Sequence, residues 1–82
     1  MEIITAKTIS QFQIIEKLAR QIMPEHYGPY ISYDNIQFFI NKFQTVKAIQ
    51  EQIQQGFEYY LLKDSGKDAG YLGIQINKNI LN

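Results

Sequence analysis

The segment that most constrains this chain is Phe57-Glu58-Tyr59-Tyr60-Leu61-Leu62-Lys63. Its aromatic and branched aliphatic side chains favour an extended backbone. Both alternating sets of positions are apolar, so neither face of such a strand is content in water. A strand of this kind belongs in the middle of a sheet, with helices laid over at least one side. A polar, glycine-containing stretch, Asp64-Ser65-Gly66-Lys67-Asp68, follows at hairpin length. Residues 69–77 (AGYLGIQIN) then return as the partner strand, with Leu72, Ile74 and Ile76 on one face.

The residues before this hairpin supply the helices. Residues 2–6 are β-rich through Ile3, Ile4 and Thr5 and predict a first strand. Thr8 and Gln11 stand at capping-box spacing, in which each side chain satisfies the other's free backbone N–H. Phe12, Ile15, Leu18, Ala19 and Ile22 recur at steps of three and four, which predicts one apolar stripe on a helix over 8–23. Pro24 is expected to end it, because the residue before a proline avoids the α region. A Pro/Gly-rich loop over 24–30 follows. Ser32 is placed to cap a helix over 33–43, and Thr45 one over 46–55 with Val46, Ile49 and Ile53 inward. The glutamines from Gln50 to Gln55 read as the wet face of that last helix. Gly56 stands where a helix-ending residue needs positive φ. The expected class is α/β (α+β): strand, helices, strand, strand, with the helices packed on a mostly antiparallel sheet.

Composition sets limits on function. In 82 residues there is room for one domain, and a chain of this size buries only about 60–65% of its unfolded surface. Eight basic and eight acidic residues balance, which argues against a broad nucleic-acid or anionic-membrane surface. There is no cysteine, so disulfides, thiol nucleophiles and Cys-ligated zinc are excluded. The start of the chain has no signal-peptide pattern and no apolar run reaches membrane-spanning length, so a cytoplasmic location is expected.

Few side chains offer chemistry. His26 is the single histidine. Beside Glu25, in a Pro/Gly turn, it reads as a loop residue, with an acid/base or ligand-bonding role as the alternative. No second histidine or carboxylate cluster accompanies it, so no metal site is expected. Tyr27, Tyr30 and Tyr33 surround the same turn, where a ring with a polar tip suits a small-molecule pocket or an interface. Tyr60 and Tyr71 read as core or cross-strand packing. Gly70-Tyr71-Leu72-Gly73 lies within a strand and is not a phosphate loop, since such loops open a helix. Gly70 and Gly73 weaken a strand unless something packs closely on them. No catalytic residue follows from spacing alone.

The ordered set of segments resembles a known family. A strand leads to a capped helix ending in Leu18-Ala19-Arg20-Gln21-Ile22-Met23-Pro24-Glu25-His26-Tyr27. Two helical segments follow, then Phe57-Glu58-Tyr59-Tyr60-Leu61-Leu62 and Ala69-Gly70-Tyr71-Leu72-Gly73-Ile74. This is similar to the N-terminal half of the GNAT superfamily of acyl-CoA-dependent N-acetyltransferases. The resemblance implies acetyl transfer from acetyl-CoA to a small-molecule or protein amine, with His26, Tyr27 and Tyr30 as substrate contacts. The family's pyrophosphate loop, Q/R-x-x-G-x-G/A, has no counterpart in these residues. The expectation is therefore a truncated relative that holds no acetyl-CoA tightly and is inactive alone. The alternative is a small non-catalytic interaction module, stabilised as a homodimer through its sheet edge.

Overall fold

A computed structural model describes residues 1–75. Its elements are β1 (Glu2–Thr5), α1 (Ile9–Tyr27), α2 (Tyr33–Phe43), α3 (Val46–Gln54), β2 (Phe57–Asp64) and β3 (Lys67–Gln75). The expected α+β class and element order are observed. The three strands form one antiparallel sheet in the order β1-β2-β3, so β2 is central. The expected end of the hairpin strand at 76–77, and the further strand expected from Ile80, lie outside the described residues.

Each helix starts where its cap residue stands. Thr8 Oγ1 accepts the Gln11 N–H at 3.2 Å, and Gln11 Oε1 accepts the Thr8 N–H at 3.0 Å, which closes the capping box. Ser32 and Thr45 side chains accept from the N–H groups of Asn35 and Ala48, both at 3.2 Å. Gly56 takes φ 104° after α3, a conformation in which any side chain would be strained.

α1 does not stop at Pro24. It continues to Tyr27, and the Gly28 N–H bonds to the Pro24 carbonyl at 2.9 Å. A proline's ring removes only its own N–H bond, to Arg20 here, and strains that one turn. Its φ is already helical, so the turn that follows can still form. The Ile31 N–H reaching the Tyr27 carbonyl at 2.8 Å then carries the chain out of the helix. His26 and Tyr27 are consequently helical residues, not loop residues.

The hairpin turn is shorter than expected. Only Ser65 and Gly66 lie between the strands, at φ 53° and 79°. Positive φ at both central positions fits the tight hairpin turn that matches strand twist. The register moves by one residue at Leu62 and Lys63, since Leu62 pairs with Gly70 but Lys63 with Asp68. Ala69 is the extra residue of this bulge.

The core joins one face of the sheet to α1 and α3. Ala6, Phe12, Ile15, Leu18, Ile49, Tyr59 and Leu61 are buried together, and Tyr71 packs against them. The alternation of β2 therefore turns Tyr59 and Leu61 to the helices. Tyr60 lies on the other face, opposite Leu72, with its hydroxyl bonded to the Glu58 carboxylate. Tyr71 is a core-packing residue as expected; Tyr60 is a cross-strand one. Leu72 and Ile74 remain 47% and 41% exposed, because the helices cover the opposite face.

A clip of polar side chains ties the helices together. Glu16 Oε1 accepts the Val46 N–H at 2.9 Å, which places a carboxylate at the N-terminus of α3, where the helix dipole favours it. Arg20 donates to Glu16, Gln37 and Asn41 at 3.2, 3.1 and 2.9 Å, joining α1 to α2.

Candidate functional site

A cleft of about 940 Å3 opens between the helices and β3. One wall is the last two turns of α1, through Ile22, Met23, His26 and Tyr27. A second is α2, where the rings of Phe39 and Phe43 lie 4.9 Å apart at 50°. The third is the run Ala69-Gly70-Tyr71-Leu72-Gly73 of β3. Gln44, Gln52 and Tyr59 supply polar atoms between these walls. Among the described residues that line it, none is Asp, Glu, Lys or Arg.

The extension of α1 past Pro24 is what brings His26 and Tyr27 to this cleft. Their ring centroids are 6.4 Å apart. Tyr30 is not part of the site: it lies beyond the helix end and is 85% exposed. The sequence-predicted trio is thus split, two residues on the cleft and one in solvent.

The polar groups form a directed chain. A carbonyl oxygen can only accept, so the bond of 2.7 Å between Gln52 and the Phe43 carbonyl must use Gln52 Nε2 as donor. That turns Gln52 Oε1 to the Tyr59 hydroxyl, which donates to it at 2.5 Å. With its proton committed, Tyr59 Oη has only lone pairs left. Gln44 accordingly presents Nε2 to it, at 3.4 Å, and its own Oε1 points elsewhere. Gln44 is only 8% exposed, and its Oε1 is buried without a partner among the described residues. Buried acceptors are rarely left so, because the lost hydration is not replaced.

Gly73 makes room for this arrangement. A Cβ there would lie 2.9 Å from Tyr59 Cε1 and 3.0 Å from its Cζ. The ring therefore rests directly on the β3 backbone, which answers the cost of a glycine inside a strand. Gly70 is different, since a Cβ there meets only Leu62 Cδ1 at an ordinary 3.7 Å. Burial pushes the phenol pKa of Tyr59 upward, against a smaller opposing effect of the Gln44 hydrogen bond. Burial also raises Tyr71, with added repulsion from Tyr59 and Tyr27 as they ionise.

Sequence reasoning missed the polar chain. Gln52 was expected on the wet face of α3, yet it follows the buried Ala48 and Ile49 by four and three residues. That spacing puts it on the flank of the inner face. Gln44, wedged between Phe43 and the Thr45 cap, gave no comparable signal. No family model matches this chain, and no curated protein matches it.

Proposed function

We propose that these residues form the acceptor-side wall of a GNAT-type N-acetyltransferase, with the amine lodged in the cleft beside His26 and Tyr27. The observation that supports this reading is that the end of α1 and the β3 segment Ala69–Gly73 line one cleft. The resemblance of the sequence implies an acceptor pocket shaped by the 24–30 segment and the 57–77 hairpin, and these two stretches lie within them. A lining without Asp, Glu, Lys or Arg among the described residues adds a chemical reason. An amine attacks a thioester through its free lone pair, and a weakly polar cleft disfavours the ammonium form that lacks one. Tyr30 has no part in the pocket. The reading assigns no catalytic group or cofactor contact to these 82 residues and expects no acetyl transfer by the chain alone.

Titration with n-butylamine, followed by NMR from neutral to mildly alkaline pH, tests the assignment. Resonances of His26, Tyr27 and Gly70 should move, and move further as the amine loses its proton, while Tyr30 stays still. Shifts confined to other parts of the molecule would remove the acceptor assignment. Release of CoA from acetyl-CoA by the purified chain would remove the expectation of inactivity.

A further inference from the structure

We infer that the cleft binds an uncharged, ring-bearing small molecule that gives one N–H or O–H hydrogen bond to Gln44 Oε1. The inference concerns the same cleft as the acceptor-wall reading but needs no acetyl transfer. The argument begins at the Phe43 carbonyl, which orients Gln52, then the Tyr59 hydroxyl, then Gln44. Each polar side-chain atom in that chain has a partner except the last, Gln44 Oε1. That oxygen lies just below the surface of a residue that lines the cleft, so a ligand's donor reaches it when the Gln44 side chain turns.

The chain would respond to one. A hydrogen bond to an amide oxygen polarises the amide, so its N–H donates more strongly to the next member. The Gln44-to-Tyr59 bond is the longest of the three, at 3.4 Å, and has the most to gain. It also restrains Gln44 least, so a small turn of the side chain can bring Oε1 to an incoming donor.

The rest of the lining sets the ligand's body. Phe39, Phe43, Tyr27 and Tyr71 are ring walls, and no charged carboxylate, lysine or arginine lines the cleft among the described residues. An anion would lose its hydration with only the exposed His26 at the rim to offset it, and a cation would find no carboxylate. A volume of about 940 Å3 is in the range of small-molecule sites and leaves room for more than a water. A flat ring with a single donor satisfies both the walls and the orphaned oxygen.

Indole and 1-methylindole are suitable probes, since they differ in the donor. The chain contains no tryptophan, so indole fluorescence excited beyond tyrosine absorption reports the probe alone. Saturable blue-shifted emission is expected, with indole bound about tenfold more tightly than 1-methylindole, as for one hydrogen bond to a buried acceptor. Gln44→Met keeps the bulk and removes the oxygen, and should bring that ratio close to unity. If Gln44→Met does not fold, the wild-type side-chain amide resonance of Gln44 serves instead: it should move with indole and stay with 1-methylindole. Equal affinity of the wild-type chain for the two probes would overturn the proposal. So would absence of saturable binding, or self-association that excludes indole. Loss of n-butylamine contacts with the indole preference intact would remove the amine-acceptor reading and leave this one standing.

Discussion

The two ends of the helix–sheet interface are built from different materials. At the closed end Ile15, Ile49 and Leu61 meet with essentially no exposed surface, and the Glu16–Arg20 clip holds α2 and α3 against α1. At the open end the helices offer Phe39, Phe43 and Tyr27, and β3 offers a glycine in place of a side chain. Compact aliphatic groups from three elements interdigitate and leave no gap. Large rings set against a bare backbone do not fill space in that way, and the remaining volume is the cleft. Stability is expected to reside at the first end and recognition at the second.

The largest test of this division is Ile49→Ala. Removing a fully buried isoleucine costs about 2–5 kcal/mol, and a small domain has little to spare. Thermal unfolding followed by circular dichroism should show a large drop in Tm or loss of a cooperative transition. A cost near that of a surface substitution would mean that the closed end does not carry the fold.

A smaller effect should appear at the open end. Gly73→Ala places a methyl group 2.9 Å from the Tyr59 ring, so the ring must tilt, at a cost of about 1–3 kcal/mol. The tilt should also disturb the hydroxyl's bonds to Gln44 and Gln52, and with them the preference for indole over 1-methylindole. Gly70→Ala is the matched control, because its new methyl group meets Leu62 at an ordinary distance. Its effect should be near zero or stabilising by up to about 1 kcal/mol, since alanine leaves the unfolded chain less freedom. If the two alanines cost the same in urea unfolding, Gly73 is not there for Tyr59.

The closed end was the more legible of the two in the sequence. The stripe of Phe12, Ile15, Leu18 and Ala19, and the caps at Thr8, Ser32 and Thr45, are local patterns with a local physical cause. The inner face of β2 was not legible. Glu58 belongs to one alternating set and Lys63 to the other, so charge marks neither as outward. Only the packing of the helices decides that Tyr59 and Leu61 go in. Pro24 misled for a similar reason: its local penalty is real, but it is confined to one turn. The helix that continues beyond it carries His26 and Tyr27 to the cleft. The polar chain needed contacts across up to 15 residues of sequence, as between Gln44 and Tyr59, and no spacing rule reaches that far.

The smallest expected effect, and the one that separates the two ends without mutation, is alkaline. A buried phenol is neutral when protonated, and burial raises the folded-state pKa of Tyr59 above its ordinary value of 10.0. The folded chain then holds this proton more tightly than the unfolded one. Its contribution to stability is intact below pH 10.0, and it is lost as the pH rises from there through the higher folded value. Tyr71 adds to the loss in the same direction, since its pKa is raised by burial and by repulsion from Tyr59. A tyrosinate at position 59 also has no proton for Gln52 Oε1, so ionisation breaks the polar chain at its middle. The Tyr59 ring shares a buried cluster with Ile15, Ile49 and Leu61, but its ionising hydroxyl is held at the cleft side by Gln44 and Gln52. Amide exchange extrapolated across this range should therefore accelerate first in β3 and the end of α2, and later around Ile15 and Ile49. Tyr59→Phe should lower stability at neutral pH and flatten the alkaline decline. Uniform acceleration at both ends would show that the interface opens as one unit, and that the cleft has no independent mobility for a ligand to exploit.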